Sequence, residues 1–264
     1  MQETGSVLGI DVGFSLTRKS SAVCRLDWDR TSIKWTIKRF RALPKEREDT
    51  IRDVSGGAQL LAAALDGPLR RGFGIIGAYR TAERMLTRRL KRRIGKPGQA
   101  STPVGKNLNS AANDCAKAVL EICSLAETRH ETRIYDRAIV EAFPSSFLGL
   151  LLEDPGKIAA SRKDRSDKFF IAAAQTMIKL LQHLLPGRTL CKSLTDVTNH
   201  DERAALVCAL TALGVVAEDF TAVGDENGWI ILPPPKFVRD WAWKELRANA
   251  DEEQQGYLYQ TPSE

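Results

Sequence analysis

Three short strand-like segments open the chain, and they restrict most strongly what it can fold into. Val7–Ile10 is a short apolar run, whereas Ala22–Trp28 and Ile33–Ile37 place apolar side chains at every second position. A period of two is typical of β-strands with one buried face. A polar turn, Asp29–Ser32, separates the second segment from the third. The pattern therefore predicts an antiparallel meander.

Strand-like and helix-like segments alternate in the rest of the chain. Gln59–Leu65 fits a strand or a helix, but the Asp-Gly-Pro sequence that follows it favours a strand end. Arg137–Phe143 and Trp229–Leu232 also predict strands, and Gly95–Asn109 is rich in glycine and proline and predicts a loop. Helical spacing of apolar residues predicts helices over Arg80–Arg93, Ala112–Ala126, Ser166–Leu185, Asp201–Ala217 and Asp240–Ala250. This order indicates a single α/β domain with a mixed sheet.

Composition excludes several classes of protein. No apolar run approaches the roughly 18–20 residues of a membrane-spanning helix, and the N-terminus lacks the basic and apolar regions of a signal sequence. The five cysteines are scattered and form no C-x-x-C pair, which argues against a disulfide framework or a zinc ribbon. We therefore expect a cytoplasmic protein with reduced thiols and no membrane partner.

Positive charge is concentrated in one segment. Between Gly67 and Asn107 there are eleven basic residues and one acid, which gives this segment a net charge of +10. Because the whole chain has a net charge of +6, the remaining residues sum to −4. Such a concentration is typical of proteins that bind polyanions, most often nucleic acid. The candidate contacts with nucleic acid are Arg70, Arg71, Arg80, Arg84, Arg88, Lys96 and Lys106. The alternative is a solvated helix face whose inward side carries Met85, Leu86 and Leu90.

Four acidic residues stand where an apolar element begins or ends. Asp11, Asp66 and Glu141 lie at the ends of predicted strands, and Asp201 begins a predicted helix. Carboxylates that converge from separate segments repel one another unless a cation neutralises them, and oxygen ligands favour Mg²⁺ or Mn²⁺. Two such ions would hold the attacking and leaving oxygens of a phosphodiester. The alternative for each acid is a turn residue or, for Asp201, a helix N-cap.

Several motifs resemble a known family when they are taken together and in order. The segments LGIDVGFS, LDGPLRRGF, VEAFPSSF, NHDERAALVCALTA and VGDENGWIILPP are similar to those of domain of unknown function 429, a family of predicted RNase H-fold nucleases related to RuvC. The resemblance covers roughly Ser6 to Pro235. It implies a five-stranded mixed sheet flanked by helices, with an acidic site from the first, fourth and fifth strands and the last core helix. Those positions hold Asp11, Asp66, Glu141 and Asp201 here.

The resemblance also suggests how the chain is organised. Residues 1–264 would form one RNase H-like domain, with a basic helical and loop insertion at about 67–110 and a short C-terminal helix at 236–250. One departure concerns the last core helix. Similar proteins often carry a second Asp one turn after the last acid, and Ala204 occupies that place.

Three functions account for these features to different extents. The leading hypothesis is a nuclease that uses Mg²⁺ or Mn²⁺ bound by Asp11, Asp66, Glu141 and Asp201 to hydrolyse phosphodiester bonds, with DNA and RNA both open as substrates. The alternative is a catalytically degenerate RNase H-fold protein that has a nucleic-acid-binding or regulatory role. A kinase or ATPase of the actin type shares the motif GIDVG, but it requires two duplicated lobes and this chain carries one such motif.

Overall fold

The chain folds into alternating strands and helices, as the sequence predicts. The computed structural model describes residues 2–70, 75, 78–95, 97–125, 138–158, 165–253 and 258–261. The strands in these ranges are β1 Gly5–Asp11, β2 Ser21–Trp28, β3 Ser32–Phe40, β4 Gln59–Leu60, β5 Ala62–Asp66, β6 Ser124–Leu125, β7 Ile139–Ala142, β8 Thr189–Leu190, β9 Thr221–Asp225, β10 Gly228–Leu232 and β11 Leu258–Gln260. The α-helices are α1 Pro44–Ser55, α2 Thr81–Thr87, α3 Lys91–Ile94, α4 Pro103–Ile122, α5 Pro144–Leu150, α6 Pro155–Ile158, α7 Arg165–Leu184, α8 His200–Val216 and α9 Asp240–Glu252.

The main sheet is mixed, and its strands run in the order β11-β9-β10-β7-β5-β1-β2-β3-β8. The predicted meander is confirmed, because β2 pairs antiparallel with both β1 and β3. On the other side of β1, the strands β5, β7 and β10 follow in parallel pairings. β4 and β6 form a separate two-stranded pair.

The expected number of five strands is wrong, because the described sheet has nine. The additional strands lie at its two edges. β8 is two residues long and β11 is three, too short for an alternating pattern to be visible in the sequence. β9 pairs with β10 as an antiparallel hairpin. The strand predicted at Trp229–Leu232 is thus only the second half of a hairpin.

Helices cover both faces of the sheet. The buried side chains of α5, α7 and α8 form one apolar core with one face, and those of α1 and α4 form another core with the opposite face. The predicted helices at Ser166–Leu185 and Asp201–Ala217 are confirmed within one residue at each end. The loop predicted over Gly95–Asn109 is wrong in its second half, because α4 already begins at Pro103. The side chain of Thr102 caps this helix by accepting a hydrogen bond from the Gly105 amide, and proline fits the first helical position.

The basic segment forms two short helices rather than one. α2 and α3 are separated at residues 88–90, where Arg89 has a φ of 60°. Met85, Leu86 and Leu90 are buried, as predicted, in a third apolar core shared with β9, β10 and α9. This arrangement places α9 directly against the basic segment.

Two expectations about composition can be compared with the fold. All five cysteines are free, and four of them are buried. None of the helices in the described ranges is both long enough and apolar enough to span a bilayer.

Helix α8 lies unusually close to strand β1, and Gly9 makes this possible. A β-carbon at position 9 would lie 2.1 Å from the Ala209 amide nitrogen and 2.2 Å from the Ala205 carbonyl oxygen. These are backbone atoms of α8, which cannot move aside without shifting the helix. The close approach brings the start of α8 to the ends of β1 and β5.

We expect the substitution Gly9→Ala to destabilise the fold. The added methyl group would overlap the α8 backbone, and overpacking of this kind costs about 1–3 kcal/mol or somewhat more. Urea denaturation would measure the loss in the free energy of unfolding. Gly98→Ala is the matched control, because a β-carbon at Gly98 would have no heavy atom of the described residues within 4 Å. Equal stabilities of the two variants would contradict the proposed helix–strand contact.

Candidate functional site

Two of the predicted acids lie side by side at the ends of parallel strands. Asp11 is the last residue of β1 and Asp66 the last residue of β5, and the two are direct partners in the strand register. Neighbouring strands of a sheet lie about 4.8 Å apart, so the two side chains start from adjacent points. Neither carboxyl group accepts a hydrogen bond from any residue that the structure describes. The fold therefore brings together two acids that are 55 positions apart in the sequence.

Both carboxyl groups lie on the face of the sheet that α8 covers. Gly9 faces α8, and alternation along the strand puts Asp11 on that same face. Because Asp66 is in register with Asp11, it shares the face. Cys208 of α8 supports this placement, since burial and the nearby Asp66 and Asp11 raise the pKa of its thiol well above the usual value.

Asp201 joins this pair from the first turn of α8. The helix is capped by Asn199, whose side-chain oxygen accepts hydrogen bonds from the amides of Asp201 and Glu202. Asp201 is thus not the N-cap, which leaves its carboxylate available for other contacts. That carboxylate accepts hydrogen bonds from Arg39 Nε at 3.1 Å and from Arg39 Nη2 at 2.6 Å.

Arg39 reaches the acids across one intervening strand. Ala22 of β2 is in register with Asp11 on one side and with Arg39 of β3 on the other. Asp66, Asp11, Ala22 and Arg39 therefore form one row across four strands, with their side chains on the α8 face. The methyl group of Ala22 is the smallest side chain in this row. It leaves room for the Arg39 side chain to extend toward the start of α8, where it reaches Asp201.

The environment of the two strand-end acids favours their protonated forms. Burial raises the pKa of Asp66 from 3.8 to about 7. Burial, followed by repulsion from Asp66 and Asp201, raises the pKa of Asp11 well above its usual value, and only Arg39 opposes this change. Two desolvated carboxyl groups that accept no hydrogen bond from the described residues are stabilised by a bound proton or by a cation.

Glu141 does not join these acids. In the register of β5 and β7 it is the partner of Leu65, whereas Asp66 is the partner of Ala142. Because side chains alternate, Glu141 lies on the opposite face of the sheet from Asp66. Its oxygens are also occupied: Arg80 donates to both, from Nη1 and Nη2 at 3.0 Å each, and the Leu69 amide donates to Oε1 at 2.7 Å.

Arg80 is accordingly a structural residue rather than a surface cation. Arg80, Glu83 and Glu141 are 2%, 0% and 1% exposed. Burial lowers the pKa of Arg80, but Glu141 and Glu83 raise it by more, so that the pKa lies above its usual value. The prediction that Arg80 contacts nucleic acid does not fit this burial.

The other predicted nucleic-acid contacts differ in their surroundings. Arg84 pairs with Glu253 at 2.7 Å, and Arg88 pairs with Glu252 at 3.0 Å, so acids at the end of α9 neutralise both. Arg70 and Lys106 are exposed. Arg71 and Lys96 lie outside the described residues. The concentration of charge in the sequence is therefore reduced in space by the acids of α9.

A second basic surface lies beside Arg39, and the sequence analysis missed it. A groove of about 720 Å³ runs between β3 and α1 and includes Leu43 and Thr50 in its wall. Its basic residues are Lys19, Lys38, Arg39, Arg41 and Lys45, and its acidic residues are Glu46, Asp49 and Asp53. We call this the β3–α1 groove. Its basic residues are spread over 27 positions, so no local run of charge marks them in the sequence.

The donor set suits a divalent cation only in part. Asp11 and Asp66 offer hard oxygen ligands that lack other partners in the described chain, which is the chemistry Mg²⁺ and Mn²⁺ prefer. However, no three or more His, Cys, Asp or Glu side chains in the described ranges are arranged as a metal site. Asp201 is held by Arg39 and Glu141 by Arg80. The predicted cluster of four carboxylates is therefore not assembled, and two of its members remain available.

The chain was compared with known proteins. No protein-family model, curated protein or solved structure matches it. The geometry of the carboxylates and the basic groove therefore carries the functional argument.

We expect Glu141→Gln to destabilise the protein strongly. The substitution removes one of the two buried carboxylates that pair with Arg80, and breaking a buried ion pair costs about 3–5 kcal/mol. Urea denaturation would measure this cost. Glu3→Gln is the matched control, because Glu3 pairs with Arg30 on the surface, with side chains 70% and 76% exposed, and such pairs contribute about 0–1 kcal/mol. A cost for Glu141→Gln as small as that of the control would contradict the structural role.

We expect Asp66→Asn to change how stability depends on pH. Because the pKa of Asp66 is raised to about 7 in the folded state, the folded protein binds more protons than the unfolded chain between about pH 4 and 7. The stability from this group is therefore present at low pH and is lost as the pH rises through 7. The wild type should lose about 1–2 kcal/mol relative to Asp66→Asn between pH 5 and 7.

Denaturation at several pH values would measure this difference, with Asp29→Asn as the control. Hydrogen bonds from the Thr31 amide and from the hydroxyl and amide of Ser32 lower the pKa of Asp29 below its usual value. Asp29 is thus ionised in both states above pH 5, so its substitution should shift stability by a constant amount. Parallel curves for the wild type and Asp66→Asn would contradict the raised pKa.

Proposed function

We propose that this protein is a divalent-metal-dependent nuclease, built on an RNase H-like fold, whose reactive centre is the Asp11–Asp66 pair. The observation that carries the proposal is the position of these acids. They are in register at the ends of adjacent parallel strands, with raised pKa values and without hydrogen-bond donors in the described chain. Mg²⁺ or Mn²⁺ would supply charge neutralisation and would lower the pKa of a bound water.

The protein's own residues would each have a defined part. Asp11 and Asp66 would provide the oxygens that hold the cation, because they are free of other bonds among the described residues. Asp201, at the start of α8, would complete the site and orient the attacking water. Glu141 is left out of this set, since Arg80 and the Leu69 amide occupy its oxygens.

The fold and the groove also support the proposal. The central strands β3, β2, β1, β5 and β7 form a five-stranded mixed unit inside the larger sheet, with helices on both faces. Asp11 and Asp66 end the first and fourth long strands, where the family resemblance expects them. Arg39 lines the β3–α1 groove and also pairs with Asp201, so a phosphate backbone bound in the groove would lie near one acid of the site. Contacts with phosphates give affinity without sequence specificity.

A catalytically degenerate nucleic-acid-binding protein is the second candidate. Two observations favour it: Asp201 is paired with Arg39 and Glu141 with Arg80. Ala204 is a third, because it is buried one turn after Asp201 and offers no further ligand. A protein of this kind would bind nucleic acid with a steep dependence on salt and would not cleave it.

Isothermal titration of Mn²⁺ and Mg²⁺ into the wild type and Asp11→Asn would test the nuclease proposal. We expect the wild type to bind at least one ion and Asp11→Asn to lose most of that affinity, because it removes half of the available carboxylate pair. Asp251→Asn is the matched control. Asp251 is exposed on α9, a helix that packs against α2.

Cleavage assays would follow with single-stranded DNA, duplex DNA and RNA. Metal-dependent cleavage that Asp11→Asn abolishes, with the variant folded and still able to bind the strand, would support the nuclease. Nucleic-acid binding without cleavage would favour the degenerate protein. A folded wild type that binds neither ion, with or without an oligonucleotide, would overturn the nuclease proposal.

A further inference from the structure

Arg39 connects the β3–α1 groove to the acidic site. Its Nε and Nη2 donate to the same oxygen of Asp201, at 3.1 and 2.6 Å, and Nη2 also donates to the backbone carbonyl of Lys19. Its third nitrogen, Nη1, has no acceptor among the described residues. The Arg39 side chain is 32% exposed, and it forms part of the groove wall. The Nε–Nη2 edge of the guanidinium thus contacts Asp201, while Arg39 also lines the β3–α1 groove.

We propose that Arg39 is an exchangeable counter-ion that couples nucleic-acid binding to completion of the metal site. In the absence of a polyanion it pairs with Asp201. When a nucleic-acid strand lies in the β3–α1 groove, a backbone phosphate takes Arg39, and the Asp201 carboxylate becomes available to a cation held by Asp11 and Asp66. This inference rests on the proposed nuclease function.

The two acceptors that would exchange Arg39 are chemically alike. Carboxylates and phosphates both present oxygens that match the planar fork of a guanidinium. Among the other basic residues of the groove, Lys38 pairs with Asp53 and Lys45 pairs with Asp49. These pairs are at least half exposed and contribute little, so a phosphate backbone can displace them as well.

The contact matters for metal binding in two ways. It occupies Asp201 Oδ2, one of the oxygens that a cation would need. It also places a positive charge beside the Asp11–Asp66 pair, which opposes the approach of a second cation. Removing Arg39 from Asp201 relieves both effects. By linkage, a strand that captures Arg39 raises the affinity for metal, and metal at Asp201 raises the affinity for the strand.

Titration of Mn²⁺ into the wild type and Arg39→Gln tests the proposal without any assay of activity. We expect Arg39→Gln to bind Mn²⁺ about tenfold more tightly, within the usual range of coupling between sites. Arg41→Gln is the matched control, because Arg41 lines the same groove but pairs with Glu46 instead of an acid of the site. The gain should vanish when Asp201→Asn is added to Arg39→Gln.

A metal-free measurement tests the other half of the coupling. In EDTA, fluorescence anisotropy would report the binding of a labelled single-stranded DNA oligonucleotide. Asp201→Asn should tighten this binding several-fold, because it frees Arg39. In the Arg39→Gln background the same substitution should give no gain. An equal gain in both backgrounds would show that Asp201 acts only by its general charge, and it would overturn the exchange.

The outcomes separate this inference from the function on which it rests. If the wild type binds Mn²⁺ and Arg39→Gln binds it no better, the exchange is wrong and the proposed metal site stands. If neither protein binds Mn²⁺ while both are folded by circular dichroism, the metal site itself is wrong. Should Arg39→Gln fail to fold, Arg39→Met keeps a long unbranched side chain but removes the charge and the hydrogen bonds to Asp201. It should also raise the affinity for Mn²⁺, and an unchanged affinity would overturn the exchange.

Discussion

The buried ion network around Arg80 holds the connection between β5 and α4 against the sheet. Arg80 pairs with Glu141 at the end of β7 and with Glu83 in α2, and Glu83 also accepts a hydrogen bond from the Ala100 amide. Glu141 in turn accepts one from the Leu69 amide. Charges this deeply buried persist only when every partner is in place. Four segments are thereby fixed relative to one another, and the end of β5, which carries the candidate site, lies beside them.

Which acids can act together is decided by the alternation of side chains along a strand. Asp66 and Glu141 lie on neighbouring strands, but their registers differ by one residue, because Asp66 is opposite Ala142. A difference of one residue moves a side chain to the other face of the sheet. Glu141 thus faces Arg80, while Asp66 faces α8 with Asp11. Both acids lie at the end of a strand, but Glu141 has a structural role, whereas Asp66 remains available for chemistry.

The sequence predicts most of the central fold and part of the site. The meander and the helices α7 and α8 have long, regular patterns that their local environment does not override, and Asp11 and Asp66 are visible because each ends an apolar run. The face on which Glu141 lies is not predictable in this way, since it depends on the pairing of β5 with β7. The Arg39–Asp201 pair is not predictable from the sequence either, because its members are 162 positions apart. The start of α4 was missed although Thr102-Pro103 is a recognisable capping signal.

Density of charge along the sequence is a poor guide to charge on the surface of this protein. The run from Arg80 to Arg93 is the most basic part of the chain, yet α9 packs against it, and Glu252 and Glu253 at its end neutralise Arg84 and Arg88. The cations of the β3–α1 groove, which include Arg39, come instead from the loop after β1, from β3 and the residues that follow it, and from α1. Arg39 pairs with Asp201, and both residues act on the charge of Asp11. This link to the acids, rather than its number of charges, makes the groove the better candidate for binding phosphates. A cation can contribute to a reaction on a phosphodiester only where it lies within reach of the acids.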